Sequence, residues 1–243
     1  MRGRAAGPRA EESGEWERRA IATSEDLSFP TGPFSAAFVA TYLAWLRLVT
    51  GDPAGARHFG RRTLEIAERC RFDYFQLIGR QYVLVPEPGR PSDPTELEHC
   101  EAGMDLVGHG AFRPSFLGIV ARNHTCLGDP GQALHALDDA LAGARASGEL
   151  IHQPDLLRLR AEITLAAHPD RTDAVIADLV AALEVGLAQG SVVLALRAAI
   201  DLARLPIRDR PSDWSDRLRS VLDRVPPGSS SPSVAEAQAL FGA

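Results

Sequence analysis

The chain has 243 residues, a formal net charge of −6 and a sequence pI near 5.7. This acidic balance argues against a general nucleic-acid binder, because phosphate contacts need clustered positive charge. All 26 basic residues are arginine, which excludes sites that require lysine: the Walker-A P-loop, the Schiff-base lysine and the Ser-x-x-Lys nucleophile pair.

The first 33 residues are expected to precede the folded domain. Residues 1–17 are polar and lack periodicity, which is typical of a disordered tail, and residues 18–26 have the composition of a helix remnant. Prolines and a glycine in residues 28–33 then break the chain. We therefore expect one helical repeat domain over residues 34–243.

From residue 34 onward, apolar residues recur every three or four positions, which predicts helices throughout. Five antiparallel pairs are predicted: 34–49 with 56–70, 74–85 with 95–107, 114–127 with 131–146, 154–167 with 173–189, and 192–205 with 213–225. A short terminal helix is expected to end at Phe241. In the first helix we predict one buried stripe, formed by Phe34, Phe38, Tyr42, Trp45 and Val49. Since no alternating run is typical of a strand, the predicted class is all-α.

A small corner occurs twice between these helices, as Gly-Asp-Pro at residues 51–53 and at residues 128–130. Glycine suits the left-handed conformation after a helix, aspartate can cap the next helix, and proline fits its first turn. The copies start 77 residues apart, about two units of the size of stacked helix-pair repeats. The spacing predicts a tetratricopeptide-like α-solenoid of about five helix pairs.

Small residues two turns apart would let the helices of a pair approach closely. This spacing joins Ala133 to Ala140 in the third pair and Ala174 to Ala181 in the fourth. We therefore expect all four alanines at helix–helix contacts.

Several segments together resemble a known group of proteins. They are residues 44–53, 156–162, 181–185, 196–205 and 231–240. The chain resembles, over most of residues 34–243, the C-terminal tetratricopeptide-like region of multidomain bacterial signalling ATPases, namely class III adenylate cyclase-associated proteins and LuxR/MalT-type regulators. It departs from them at Ala161, where such sequences usually have glycine, and in the proline-rich connector 86–94.

In such proteins the repeats accompany a P-loop ATPase and cyclase or DNA-binding domains, and this chain carries no motif for any of these. The resemblance therefore implies a sensing or docking module: a non-catalytic, cytoplasmic protein-interaction or effector-sensing unit in bacterial signalling or transcriptional regulation. Two alternatives remain open. The chain could be a docking subunit or remnant of a multidomain ATPase regulator, or a solenoid enzyme of a biosynthetic pathway with its site in the concave cavity.

Four residues are candidates for the concave binding face: Arg122, Arg158, Glu162 and Arg204. In tetratricopeptide arrays the first helix of each pair lines that face, and these positions fall on first helices. A row of arginines would suit an acidic peptide or other carboxylate ligand. The alternative, which we favour, is a solvated or internally paired set, for example Arg158 with Glu162 one turn later.

Other classes of site find little support in the sequence. Three widely spaced cysteines, 70, 100 and 126, favour neither a disulfide framework nor a zinc site, although His99, His109 and His124 lie near two of them. No Gly-x-Ser-x-Gly elbow is present. Twelve of fifteen aromatic residues lie between residues 29 and 116, and we favour a bulky core over an apolar pocket as the reason.

We therefore expect no catalytic residue, cofactor or metal. The expected partner is a protein or peptide of acidic character, or a small-molecule effector, and we expect neither direct nucleic-acid nor membrane binding. The longest apolar runs considered for a membrane span are interrupted by Arg197 or Asp201.

Overall fold

The computed structural model describes residues 9–26, 28, 32–87, 93–107, 112–226, 229 and 232–241. Helices hold 80% of these residues, and no strand lies among them. The all-α prediction is confirmed, and both ends of each paired helix lie within three residues of the prediction. The helices are α1 (Arg9–Glu25), α2 (Gly32–Val49), α3 (Pro53–Cys70), α4 (Asp73–Val83), α5 (Pro94–Val107), α6 (Arg113–Cys126), α7 (Pro130–Ser147), α8 (Gln153–Ala167), α9 (Thr172–Ala188), α10 (Val192–Arg204), α11 (Trp214–Leu222) and α12 (Pro232–Ala239).

The N-terminal segment is more helical than expected. Residues 9–17, assigned to a disordered tail, form the first half of α1, since alanine, glutamate and arginine favour a helix even without an apolar stripe. At the end of α1, the side chain of Arg62 donates hydrogen bonds to the carbonyls of Ser24 (3.1 Å) and Glu25 (3.4 Å). The rest of the expected tail, residues 1–8, lies outside the described residues.

Both Gly-Asp-Pro corners have the predicted geometry. Gly51 and Gly128 have φ of 88° and 80°. The Asp52 carboxylate accepts from the amide of Gly55 (2.8 Å), and the Asp129 carboxylate from that of Gln132 (3.0 Å). Each aspartate is therefore the N-cap of the following helix, as predicted.

The same type of helix end recurs at two positions that the sequence did not reveal. After α9, Gly190 has φ of 72°, and the amide of Ser191 bonds the Gly186 carbonyl five residues back. After α3 the left-handed residue is Arg71, with φ of 57°, and the next amide again bonds five residues back. One Schellman-type device thus ends α2, α3, α6 and α9.

The chain divides into two compact units, residues 16–150 and residues 151–243 with the start of α1. In the first unit α2, α3 and α4 pack in chain order, α4 also contacts α6, and α6 pairs with α7. In the second unit α8, α9 and α10 pack in chain order, and α10 also contacts α11 and α12. Within each unit, helices that are neighbours in sequence are mostly neighbours in space.

The predicted small residues differ in burial. Ala133 and Ala140 are fully buried, as predicted. In α9 the prediction was wrong by one position: Ala174 is exposed, and Val175 and Ala182 are buried instead. Because α9 does not follow a Gly-Asp-Pro corner, the seven-residue spacing alone did not determine which face turns inward.

The cap at the second corner can be tested directly. Asp129→Ala removes the acceptor for the amide of Gln132, and we expect it to lower the free energy of unfolding by about 1 kcal/mol. Asp129→Asn is the matched control, because asparagine caps a helix about equally well. Urea denaturation measures both variants, and equal losses would contradict the N-cap role.

Candidate interaction surface

The exposed face of α2 is formed by large apolar side chains. Within this fully described helix the exposed residues are Phe34 (60%), Phe38 (45%), Tyr42 (42%) and Leu46 (39%). They recur every fourth residue and so form one line along the helix, which we call the α2 ridge. The predicted buried stripe is therefore wrong for Phe34, Phe38 and Tyr42.

The buried face of α2 is made of small residues instead. Ala36, Ala37, Ala40 and Ala44 are completely buried in a unit where α2 packs on α3 and α4. A methyl side chain allows close approach of helices, and the tightly packed contact leaves no volume for a phenyl ring. The ring-bearing positions consequently face outward.

Buried aromatic rings support the ridge from below. Phe34 lies edge-on to Phe75, with ring centroids 5.3 Å apart, and Tyr42 lies edge-on to Phe112 at 5.1 Å. Phe75 and Phe112 are themselves buried. The ridge is thus the outer layer of an aromatic cluster whose inner layer belongs to the core.

A tyrosine on α4 and a glutamate after α7 border the ridge. Tyr74 is 45% exposed, and its ring centroid lies 5.6 Å from that of Phe75. The pKa of Tyr74 is raised above its ordinary value. Partial burial is the main cause, and the nearby Tyr42 and Glu149 contribute less. One carboxylate oxygen of Glu149 is buried without a hydrogen-bond partner, so this border carries an incompletely satisfied negative group.

A small cavity lies next to this border, between the start of α6 and the end of α7. Its volume is about 20 Å³, and Arg113, Leu117, Asp139, Ser147 and Glu149 are among the residues that line it. This is room for about one water molecule. The cavity is therefore too small to enclose an organic substrate.

The structure places the predicted residue Arg158 inside an ion-pair network. Its side chain is only 9% exposed and lies 2.8 Å from Asp201, 3.5 Å from Asp155 and 3.7 Å from Glu162. Burial alone would lower the pKa of Arg158, but the three carboxylates outweigh it and raise the pKa above its ordinary value. Arg158 therefore stays charged and links α8 to α10. The predicted contact between Arg158 and Glu162 is confirmed.

Arg204 and Arg122 make no described contact with Arg158. Arg204 is half-exposed and bonds Glu236 of α12 at 2.6 Å. Arg122 is partly buried on α6, in the first unit. Of the four candidates, the described contacts join only Arg158 and Glu162.

The polar side chains that donate hydrogen bonds to the carbonyls at the end of α4 were not predicted from the sequence. Arg57, which is almost fully buried, donates to the carbonyls of Val85 (3.3 Å) and Pro86 (2.8 Å). Asn123 donates to the carbonyl of Leu84 (3.0 Å). These donors replace the amides that a helix end lacks. No signal in the sequence indicated them, since the partners lie 28–39 residues apart.

The cysteine and histidine side chains that the structure describes lie in different surroundings. Cys100 is buried, which raises the pKa of its thiol to about 11, whereas Cys126 is exposed. His124 lies 3.3 Å from Glu101, and His109 lies outside the described residues. Among the residues that the structure describes, no three His, Cys, Asp or Glu side chains are grouped to hold a metal.

By length and composition, α2 could also cross a membrane. Its mean hydropathy is 1.2, and 44% of its 18 residues are buried inside the protein. It is not among the apolar runs interrupted by Arg197 or Asp201. Its alanine face packs on α3 and α4.

No protein-family model, curated protein or solved structure matches this chain. The candidate surface consequently rests on the geometry of the chain itself.

The structural role of Arg158 gives a stability prediction. Arg158→Met removes the buried cation of Asp201 and leaves Asp155 with Arg197, which lies 3.6 Å away. We expect a loss of about 3 kcal/mol in the free energy of unfolding. Arg204→Met is the matched control: the Arg204 side chain is 59% exposed, so its ion pair with Glu236 is expected to contribute about 1 kcal/mol or less. Thermal and urea unfolding measure both. A small, equal effect of the two substitutions would contradict the network.

Proposed function

We propose that this chain is a non-catalytic interaction module that docks a protein partner in bacterial signalling or transcriptional regulation. Its helix pairs would form a tetratricopeptide-like α-solenoid. The resemblance to the repeat regions of signalling ATPases supplies the biological setting, including a cytoplasmic location.

The order of helix packing supports the repeat architecture. Within the first unit α2 contacts both α3 and α4, and within the second α8 contacts both α9 and α10. A first helix that touches its own partner and the next first helix is the arrangement expected of stacked helix pairs. The shared Schellman-type ends of α2, α3, α6 and α9 add a recurring local geometry.

The α2 ridge is the observation that carries the functional proposal. With about half of each side chain exposed, the ridge and Tyr74 present about 450 Å² of largely apolar surface. A patch of about 300–600 Å² is the largest that a typical monomer exposes, and such patches are often binding sites. Aromatic side chains, including phenylalanine, are also enriched in protein interfaces.

An apolar docking surface replaces the arginine row as the favoured recognition element. Arg158 is occupied by three carboxylates of its own chain and Arg204 by Glu236. Both contacts would have to break before these arginines could bind an acidic peptide. The ridge needs no such rearrangement.

The proposal predicts a partner whose capture depends on the ridge. Tagged full-length chain, used as bait in lysate of the native host, should retain a specific protein that is lost with Phe38→Ser. The reason is that the substitution removes a central apolar anchor. Quantitative mass spectrometry compares the two baits, and the purified partner should bind the variant at least about tenfold more weakly.

Ile207→Ser is the control for general loss of hydrophobic surface. Ile207 is 87% exposed and lies in the other unit, so this variant should retain the partner. A capture pattern that is identical for all three baits would contradict the proposal. Turnover of a substrate by the purified chain, lost on a point substitution, would favour the enzyme alternative.

A further inference from the structure

We propose that the α2 ridge binds one amphipathic α-helix of a protein partner, with apolar residues along one face and a basic side chain placed at Glu149. This inference rests on the proposed function, that the chain docks a protein, and it specifies the form and chemistry of the docked segment.

The spacing of the ridge favours a helix as the bound element. Leu46 lies 12 residues after Phe34, a rise of about 18 Å or three helical turns. Side chains along the ridge repeat every fourth residue, and such rows interdigitate with the rows on another helix. A partner helix would present apolar anchors at i, i+4 and i+7 or i+8 along the face that contacts the ridge.

The ridge is organised before any partner binds. Phe34 lies against both Phe72 (6.0 Å) and Phe75 (5.3 Å), and Phe38 lies 4.8 Å from Tyr42 between ring centroids. These ring contacts restrict the side chains in the free protein. Little conformational entropy is then lost on binding, so the apolar area contributes more fully to affinity.

Charge at the border specifies the polar part of the partner. The one charged residue of α2, Arg47, lies 3.7 Å from Asp52, so the ridge itself is uncharged. Beside Tyr74, Glu149 has a buried carboxylate oxygen that accepts no hydrogen bond. An arginine or lysine in the partner would lie beside the Glu149 carboxylate at the edge of the ridge and pair with its negative charge.

Neither a second copy of the chain nor a lipid surface fits as well. The patch of about 450 Å² is roughly half of the ~800 Å² that each partner contributes to a standard stable interface. A helix that lies on a membrane usually places basic residues beside its apolar face. On α2 the single basic residue is engaged by Asp52, and the chain as a whole is acidic.

The test selects ligands without assuming the native partner. A displayed library of random 16-residue peptides is panned on the purified full-length chain, and enriched peptides are measured by fluorescence anisotropy. We expect apolar residues spaced by three or four, together with an arginine or lysine, and a rise in peptide helicity on binding by circular dichroism. Phe38→Ser should weaken binding at least about tenfold and Glu149→Gln about threefold. Ile207→Ser should leave affinity within about twofold.

Several results would overturn the inference. They are the absence of enriched peptides, enrichment of extended or proline-rich peptides, and affinity that is insensitive to Phe38→Ser. A concentration-dependent dimer abolished by Phe38→Ser would assign the ridge to a second copy, and flotation with anionic vesicles would assign it to lipid. A native partner that needs Phe38 but binds through an extended segment would refute the bound helix while leaving the docking function intact.

Discussion

Close packing of the alanine face of α2 determines which side chains the first unit exposes. Ala36, Ala37, Ala40 and Ala44 are wholly buried, which brings the helix near its neighbours and leaves no room for rings between them. The large side chains of α2 must then face outward. The chain therefore exposes aromatic surface where an amphipathic helix would normally expose polar groups.

The two units differ in the kind of side chain that each one buries or exposes. In the second unit charged groups are directed inward: Arg158 joins Asp155, Glu162 and Asp201 in one network between α8 and α10. Such a network adds geometric specificity to the packing, because each charge requires its partner. In the first unit apolar rings are directed outward, and they remain available for contact with another molecule.

Local features of the fold were predictable from sequence, whereas the choice of helix face was not. The caps at Asp52 and Asp129 depend on residues within three positions, and so does much of the signal for helix ends. On α2 the alanine face and the aromatic face have the same helical period, so periodicity could not determine which one is buried. The Arg158–Glu162 contact was local and predictable. Asp201 lies 43 residues from Arg158, and only the packing of α8 on α10 brings them together.

The orientation of α2 is tested most directly by the unfolding free energies of two single variants, Phe38→Ala and Ala40→Leu. If the alanine face is buried, Phe38→Ala costs about 1 kcal/mol or less, because the ring is already half-exposed. Ala40→Leu then costs about 3 kcal/mol, because the helix contact is overpacked. The reverse order, with a large loss for Phe38→Ala and tolerance of Ala40→Leu, would show that the aromatic face is buried and would contradict the account.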